Sequence, residues 1–344
     1  MIAVSGELRL LVPDPSHRLA GVRLVQELRA GELPGFRRVD AGWQLDLARP
    51  PVSRMEYLLE LRHADGSREV VTDPANPLRA RGAFGDKSVL EFPGYRPPAW
   101  LAADAAPGVT RSLELPVKAL GEPISVHVWR PADATDDLEP LPLLLVHDGP
   151  EYDRLASLTT YLAAGVTGGW LPRLRAALLA PGPRDRWYSA NARYARALRT
   201  VVLPSVTALL TTTSRIGMGT SLGALAMLHA HCRYPDSFDA LFLQSGSFFL
   251  PRFDSQERRF PYYERVIGFV ADVHEGRLPG KPVPTTMTCG AIEENVHNNR
   301  LMAGLLRDRG YPAELHEVPD VHNYTAWRDA FDPHLTMLLR RMLP

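Results

Sequence analysis

The stretch Ser214-Arg-Ile-Gly-Met-Gly-Thr-Ser-Leu-Gly-Ala-Leu-Ala-Met-Leu228 organises the rest of the chain. A short apolar run leads into Gly219-Thr-Ser-Leu-Gly223, and a helix-forming run of Ala and Leu follows at once. A strand, a sharp turn and a helix in this order are the context in which G-x-S-x-G presents a nucleophilic serine. Glycines on both sides of Ser221 let strand and helix approach closely, and the positive end of the helix dipole favours the charge that forms during attack on a carbonyl.

Glycine-rich turns before helices also bind phosphate groups. Two features argue against a phosphate loop here: no Lys follows the turn, and Gly217, Gly219 and Gly223 do not have G-x-G-x-x-G spacing. We therefore predict that Ser221 is a nucleophile whose catalytic partners lie further along the chain.

Length and composition narrow the class of protein. A chain of 344 residues is long for one hydrophobic core, so two domains are expected. Its 39 basic and 39 acidic residues balance, which predicts no binding to nucleic acid or to an anionic membrane. The sequence shows no signal-peptide pattern, so we expect a protein that is not exported by a signal peptide. Cys232 and Cys289 are isolated and no Cys/His cluster has zinc spacing, so no metal site is expected. Hydrolysis by a serine nucleophile requires no organic cofactor, and the oligomeric state stays open.

Residues 1–97 alternate apolar and polar side chains over short runs. The clearest runs are Val22–Leu28, Trp43–Leu47 and Met55–His63. Several short strands without a helical period predict a small antiparallel β-sandwich. The stiff segment Phe92–Pro98 marks the boundary, which leaves residues 98–344 for a second domain.

Strand-like and helix-like runs alternate from about residue 110 onward. The predicted strands are Ile124–Trp129, Leu141–Val146, Arg175–Ala180, Arg215–Met218, Ala240–Gln244, Thr285–Cys289 and Glu314–Val318, and the predicted helices are about 154–164, 189–212, 222–233, 295–309 and 324–342. This alternation predicts an α/β domain with a mostly parallel sheet and helices on both faces. Active sites in such sheets lie at the carboxyl ends of the strands, where Ser221 falls.

Candidate partners of Ser221 follow two later strands. His322 comes after the last strand, and its imidazole can accept the serine proton and return it to a leaving group. Glu293 follows the strand that ends at Cys289 and would orient the imidazole; its neighbour Glu294 is the alternative. Two glutamates at a helix start would also complement the helix dipole, which is the structural explanation of the same residues. The order Ser, Glu, His agrees with a catalytic triad.

Two backbone N–H groups are expected to bind the oxyanion. The first belongs to Leu222, the residue after the nucleophile. The second belongs to Gly149 or Glu151, in the turn that follows the strand Leu141–Val146, because Pro150 has no N–H.

These motifs resemble the enterochelin (ferric enterobactin) esterase family of esterase-D-like α/β hydrolases. The resemblance rests on Asp148-Gly149, Gly219–Gly223, Glu293-Glu-Asn-x-x-x-Asn-Arg300 and Asp320-x-His-Asn-Tyr-x-x-Trp327, and more weakly on Gly42-Trp43 and Asp73-Pro-x-Asn-Pro77. It implies an N-terminal Ig-like domain and ester hydrolysis by a Ser-His-Glu triad. The implied substrate is a small-molecule ester, with the trilactone of a ferric catecholate siderophore as the specific case. The resemblance also implies a cytoplasmic location, with which the missing signal-peptide pattern is compatible.

A large anionic siderophore implies cations and aromatic rings in its binding site. Two stretches could supply them through Arg184, Arg186, Trp187, Tyr188, Arg258 and Tyr262. A solvated cap segment is the alternative for each of these residues. Feruloyl or acetyl esterases and acyltransferases of the esterase-D group are alternative functions, and a non-catalytic binding protein on a hydrolase scaffold is the alternative from another class.

Overall fold

A computed structural model describes residues 2–4, 7–28, 34–134, 136–278 and 280–342; the remaining residues of the two predicted domains lie outside it. The chain divides into two compact units. The first unit contains Met1–Arg96 together with two short segments, Gly290–Glu294 and Pro319–Asn323. The second unit contains Pro97–Cys289, Asn295–Val318 and Tyr324–Pro344.

The first unit contains only strands as regular structure in its described part. They are β1 Ile2–Val4, β2 Glu7–Pro13, β3 Leu19–Gln26, β4 Arg37–Val39, β5 Gly42–Ala48, β6 Arg54–His63, β7 Arg68–Val71, β8 Arg79–Ala80 and β9 Lys87–Glu91. One sheet has the order β1-β2-β5-β4, and the other has β3-β6-β9-β8 with β7 paired to β6. All these pairings are antiparallel, so the N-terminal part is all-β as predicted.

Both sheets of the first unit contribute to one core. Leu8, Leu10 and Val12 of β2 alternate with exposed neighbours, as expected for a strand with one buried face. They join Tyr57 and Leu59 of β6 in the same cluster of buried side chains. The stretch 73–77 is held against this core because the hydroxyl of Tyr57 donates to Asp73 at 2.7 Å. Hydrogen bonds thus give this proline-rich stretch a structural role.

The second unit alternates strands and helices. Its strands are β10 Val109–Leu115, β11 Ile124–Arg130, β12 Leu141–Val146, β13 Arg175–Leu179, β14 Thr212–Thr220, β15 Ala240–Gln244, β16 Thr285–Gly290 and β17 Ala313–Val318. Its helices are α1 Gly149–Ala156, α2 Leu158–Thr167, α3 Arg184–Tyr188, α4 Ala192–Ala197, α5 Leu203–Thr207, α6 Leu222–Arg233, α7 Tyr263–Glu275, α8 Val296–Asp308, α9 Tyr324–Asp329 and α10 Thr336–Arg341. Short 3₁₀ segments cover Ala99–Ala102 and Ser255–Arg259, and π-helical turns cover Leu198–Val202 and Phe331–Leu335.

The eight strands of the second unit form one mixed sheet in the order β10-β11-β13-β12-β14-β15-β16-β17. The central pairings from β13 through β16 are parallel, whereas β10 and β11 are antiparallel to their neighbours. Leu143 and Leu145 of β12 lie in one hydrophobic cluster with residues of α6, and Leu144 and Val146 lie in another with residues of α2. Helices therefore cover both faces, which confirms the predicted α/β organisation and adds antiparallel strands at one edge.

Several helices differ from their predicted extents. The expected helix 154–164 is divided at Ser157, which has a left-handed φ of 54°, and Asp153 there accepts a hydrogen bond from the amide of Thr159. The expected helix 189–212 ends earlier than predicted, at Thr207, and strand β14 begins at Thr212. Helix α7 was not predicted, although Val266, Phe269, Val270 and Val273 recur at helical spacing. Within the described residues, no helix is both long and apolar enough to span a membrane.

Candidate active site

Ser221 occupies a strained turn between β14 and α6. Its φ of 54° and ψ of −125° lie outside the conformations that a residue with a side chain usually adopts. Both neighbouring glycines allow this turn. A Cβ atom on Gly219 would lie 2.5 Å from the carbonyl of Gly223, and one on Gly223 would lie 3.1 Å from Oδ2 of Asp148. The sequence pattern thus produces the predicted strand, turn and helix by close backbone packing.

Hydrogen bonds hold the backbone of Ser221 in this conformation. Its amide donates to the carbonyl of Gln244 at 2.9 Å. Its carbonyl accepts from the amides of Ala224, Leu225 and Ser247 at 3.1, 3.2 and 3.2 Å. A strained conformation persists only where its surroundings over-determine it, and these four bonds do so.

The end of β12 is tied to the first turn of α6. His147 is fully buried, and its ring nitrogen Nδ1 donates to the carbonyl of Gly223 at 2.8 Å. Burial lowers the pKa of His147 to about 4, so its ring is neutral near pH 7. The rings of Tyr188 and Tyr194 lie against it at 4.5 and 5.6 Å between centroids. His147 is therefore a structural histidine.

Asp148 caps α1 in a left-handed conformation, with φ of 51°. Its buried carboxylate accepts three hydrogen bonds from Arg184, at 2.9, 3.1 and 2.8 Å. Burial by itself would lower the pKa of Arg184, but the charge of Asp148 and its hydrogen bonds raise that pKa above its ordinary value. The amide of Asp148 donates to the hydroxyl of Tyr188 at 3.2 Å. These contacts fix the turn that begins α1.

The predicted oxyanion donors lie in first turns of helices. Leu222 begins α6 and Gly149 begins α1, so neither amide has an acceptor within its own helix. A Cβ atom on Gly149 would lie 2.4 Å from Cα of Leu178, which explains glycine at this position. Glu151 lies in the same first turn of α1, and the pKa of its carboxylate is raised by partial burial and by the charge of Asp148.

Ser247 is a site residue that the sequence did not single out. Its hydroxyl lies 3.0 Å from that of Ser221, in the loop after β15. Asn299 holds this loop by accepting from the amide of Gly246 and donating to its carbonyl, both at 3.0 Å. The sequence contains one indication of this loop, because Asn299 belongs to the motif at 293–300 on which the family resemblance partly rests.

The first unit brings Glu293 and His322 together. Oε1 of Glu293 is 3.3 Å from Nδ1 of His322. Oε2 of Glu293 accepts a hydrogen bond from the amide of Gly290, with 2.9 Å between nitrogen and oxygen. The side chain of Glu293 is fully buried, whereas Glu294 is exposed. Burial alone would lower the pKa of His322, but the hydrogen bond and charge of Glu293 raise it above 6.5, with further contributions from Glu27 and Glu294.

Residues of β6 support the loop that carries His322. Arg54 and Glu56 are buried and 2.9 Å apart, and Arg54 also approaches Asp320 at 3.8 Å and the side chain of Asn323 at 3.4 Å. Burial raises the pKa of Asp320 to about 7 in spite of the nearby Arg54 charge. Asp320 accepts from the amide of Val321 and from the side chain of Asn323, at 2.8 and 2.9 Å. No local sequence pattern indicates this long-range support.

Three of the residues expected to bind substrate have other contacts. Arg184 pairs with Asp148, and this bond positions a loop. Trp187 and Tyr188 are 1% and 0% exposed, with their rings packed around Tyr194. The expectation that these two rings form a binding surface is corrected, because buried rings in the core present no face to a ligand.

The other three residues are accessible. Arg186 and Arg258 are exposed, and Tyr262 is half-buried. Arg265, which the sequence did not indicate, links the two predicted stretches: its guanidinium donates to the carbonyl of Arg186 at 2.7 Å and lies 4.5 Å from the centre of the Tyr262 ring. Across the described residues, no group of three His, Cys, Asp or Glu side chains could hold a metal ion.

Comparisons with known proteins identify similar folds. No protein-family model matches the sequence, and no curated protein is significantly similar. A ferric enterobactin esterase from Salmonella typhimurium has a TM-score of 0.78 at 18% identity, over 98% of this chain and 93% of that chain. The enterobactin esterase from Shigella flexneri, crystallised in the presence of enterobactin, has a TM-score of 0.76 at 17% identity, over 98% and 92%.

A ferulic acid esterase is similar over a smaller part of this chain. Its TM-score is 0.56 at 16% identity, and the match covers 69% of this chain and 100% of that one. The likeness to the two enterobactin esterases, which extends over nearly the whole chain, confirms the resemblance at the level of the fold.

Proposed function

We propose that this protein is a serine esterase in which Ser221, His322 and Glu293 form the catalytic triad. The observation that carries the proposal is the backbone of Ser221, with φ of 54° and ψ of −125° between a strand and a helix. Strain of this kind concentrates at functional sites and is typical of a nucleophile elbow. The hydrogen bond between the buried Glu293 and His322 supports the proposal, because a carboxylate on Nδ1 leaves Nε2 free of its proton and able to act as a base.

In the proposed reaction, Oγ of Ser221 attacks the ester carbonyl while Nε2 of His322 takes its proton. Glu293 stabilises the imidazolium, and the amides of Leu222 and Gly149 bind the oxyanion. Glu151, in the same first turn of α1, is the alternative second donor. The imidazolium then protonates the leaving alcohol, and water, deprotonated by His322, releases the acyl group from Ser221.

The substrate class that we propose is the trilactone of a ferric catecholate siderophore, hydrolysed in the cytoplasm. The Shigella flexneri esterase, which has a similar fold, is an enterobactin esterase whose structure was determined in the presence of enterobactin. Arg186, Arg258 and Tyr262 are the accessible residues that we assign to binding, since catecholate oxygens attract guanidinium groups and aromatic rings stack on one another. We also assign residues 1–97 to an Ig-like domain and 98–344 to the hydrolase domain.

The test is hydrolysis of a small ester panel by wild type, Ser221→Ala and Ser237→Ala. The panel contains p-nitrophenyl acetate and butyrate, a ferric tricatecholate trilactone and a feruloyl ester. Ser237 is a matched control, because it is a buried serine without a side-chain hydrogen bond in the described structure. We expect Ser221→Ala to abolish turnover and Ser237→Ala to retain it. Among the esters of the panel, we expect the trilactone to be hydrolysed fastest.

Other outcomes separate the alternatives. Serine-dependent turnover of simple or feruloyl esters alone would retain the triad and discard the siderophore. Transfer of the acyl group to an added alcohol in preference to water would identify an acyltransferase. Full activity of Ser221→Ala would overturn the triad, and failure of a fluorophosphonate probe to label Ser221 would favour a binding protein on a hydrolase scaffold.

A further inference from the structure

The hydroxyl groups of Ser247 and Ser221 lie 3.0 Å apart. Ser247 is buried, with 3% of its surface exposed, and this contact directs its hydroxyl toward the proposed nucleophile. The same residue donates its amide to the carbonyl of Ser221 at 3.2 Å. Ser247 is therefore joined to Ser221 by both its main chain and its side chain.

The loop that carries Ser247 is fixed at each residue. Ser245 has a left-handed φ of 47°, and its hydroxyl accepts from Nε1 of Trp327 at 3.0 Å. Gly246 is held at both main-chain groups by the amide side chain of Asn299. A Cβ atom on Gly246 would lie 2.3 Å from the ring of the buried Phe248, which would have to move to admit a side chain there. A loop with this many fixed contacts presents the Ser247 hydroxyl without further reorganisation.

The donor in this hydroxyl pair follows from the proton inventory. A hydroxyl has one proton to donate and two lone pairs to accept. When Ser221 directs its proton to His322, it has none left for Ser247. Ser247 must then donate, and Oγ of Ser221 must accept.

We propose that Ser247 is a further catalytic residue, whose hydroxyl donates a hydrogen bond to Oγ of Ser221. This inference rests on the proposed function of Ser221. As His322 removes the proton of Ser221, negative charge grows on Oγ and the bond from Ser247 strengthens. It strengthens again when the acyl-enzyme breaks down and Oγ leaves with the bonding electron pair. Ser247 keeps its own proton throughout, so its hydrogen bond adds no proton transfer to the reaction.

The size of the effect follows from the charge on the acceptor. A hydrogen bond to a charged group contributes enough that its loss slows a reaction by roughly 10- to 100-fold. Because the bond acts on the reacting oxygen, its loss lowers kcat and leaves KM nearly unchanged.

The experiment is the rate at which a fluorophosphonate labels Ser221 in wild type, Ser247→Ala, Ser247→Thr and Ser237→Ala. Rates are divided by the folded fraction, measured by near-UV circular dichroism at the assay temperature. We expect labelling of Ser247→Ala to be about 10- to 100-fold slower across the pH range, with kcat for p-nitrophenyl acetate reduced in parallel. Ser237→Ala reports the effect of losing a buried hydroxyl elsewhere and labels at the wild-type rate.

The outcomes distinguish this inference from the function it rests on. A wild-type protein that is not labelled at Ser221 would overturn the proposed function itself. Labelling of Ser247→Ala at the wild-type rate, in a protein whose Ser221 is labelled, would overturn only the role of Ser247. A folded Ser247→Thr, which keeps the hydroxyl, should recover most of the rate; if it labels as slowly as Ser247→Ala, the hydrogen bond is not the cause.

Discussion

The guanidinium of Arg184 makes three hydrogen bonds to the carboxylate of Asp148, and the side chain of Asp148 is only 1% exposed. The pair joins the residue that begins α3 to the residue that caps α1. Its position beside the turn at Gly149 gives Arg184 a role in the arrangement of a proposed oxyanion donor. A residue selected from the sequence as a substrate cation is thus engaged by a buried carboxylate of the protein.

Replacing Arg184 by Met is expected to destabilise the protein, because Asp148 would remain buried without its cation. Loss of one partner of a buried pair costs several kcal/mol, and partial exposure of Arg184 reduces this to roughly 2–4 kcal/mol. Urea unfolding measures the change. Arg186→Met is the matched control: its pair with Glu122 is exposed on both sides, and its loss should cost roughly 0–1 kcal/mol. Equal losses for the two variants would contradict the structural role of Arg184.

Glu293→Gln should alter both the rate and its pH dependence. A general base must be neutral, so activity falls as pH drops through the pKa of His322, which Glu293 raises above 6.5. Without this carboxylate, burial dominates and the acid limb of kcat/KM moves to lower pH. We also expect a fall of roughly 10²- to 10⁴-fold in the maximal rate, because the imidazolium loses its counter-charge.

Glu294→Gln is the control for that experiment. Glu294 is exposed, and its charge raises the pKa of His322, so its removal should shift the acid limb slightly and leave the maximal rate unchanged. A larger loss in Glu294→Gln than in Glu293→Gln would reverse the assignment. Protein stability gives an independent check. The raised pKa of His322 stabilises the fold fully below pH 6.5, and this contribution disappears as pH rises through the folded-state pKa.

Gly290→Ala should disturb the contact between the segments that carry Glu293 and His322. A Cβ atom there would lie 2.4 Å from the carbonyl oxygen of Asp320 and 2.8 Å from Cα of Val321, and both are backbone atoms that cannot rotate away. We expect a loss of about 1–3 kcal/mol in the free energy of unfolding, together with reduced esterase activity. Gly304→Ala tests the opposite case.

Gly304 lies inside α8, and a Cβ atom there would meet no described atom within 4 Å apart from the backbone of α8 itself. Alanine should therefore stabilise the helix by about 0.5–1 kcal/mol without changing activity. The sign of the change, measured by urea unfolding, separates close packing from helix propensity. Destabilisation by Gly304→Ala as large as that by Gly290→Ala would show that the close contact is not the cause.

Arg54→Met should destabilise the protein more at pH 8 than at pH 5. The pKa of Asp320 is raised from 3.8 to about 7, so its carboxylate is mostly neutral at pH 5 and charged at pH 8. A raised carboxyl pKa contributes stability that is complete below pH 3.8 and is lost as pH rises through 7. Removing Arg54 enlarges that loss, to roughly 3–5 kcal/mol at pH 8. An equal loss at both pH values, measured by urea unfolding, would mean that Asp320 is not the group concerned.

The sequence by itself determined the local features of the proposed site. The strand, turn and helix around Ser221 follow from the spacing of apolar residues and from two glycines. Glycine is required at both positions because the strand and the helix approach each other closely there. The alternation of strands and helices predicted the α/β sheet, and its strand ends indicated Glu293 and His322. Each of these inferences uses residues within one element or one turn, where short-range sterics and hydrogen bonds decide the conformation.

Only the tertiary structure decided the long-range partners. Arg54 and Asn323 are 269 positions apart, and their contact depends on how a strand of the β sheets meets the His322 loop. The pairing of Arg184 with Asp148, the burial of Trp187 and Tyr188, and the approach of Ser247 to Ser221 also join separate elements. Hydrophobic periodicity defines which face of an element is buried. A buried charge or hydroxyl needs a polar partner. Which side chain becomes that partner depends on how distant segments pack, and only the folded chain brings those segments together.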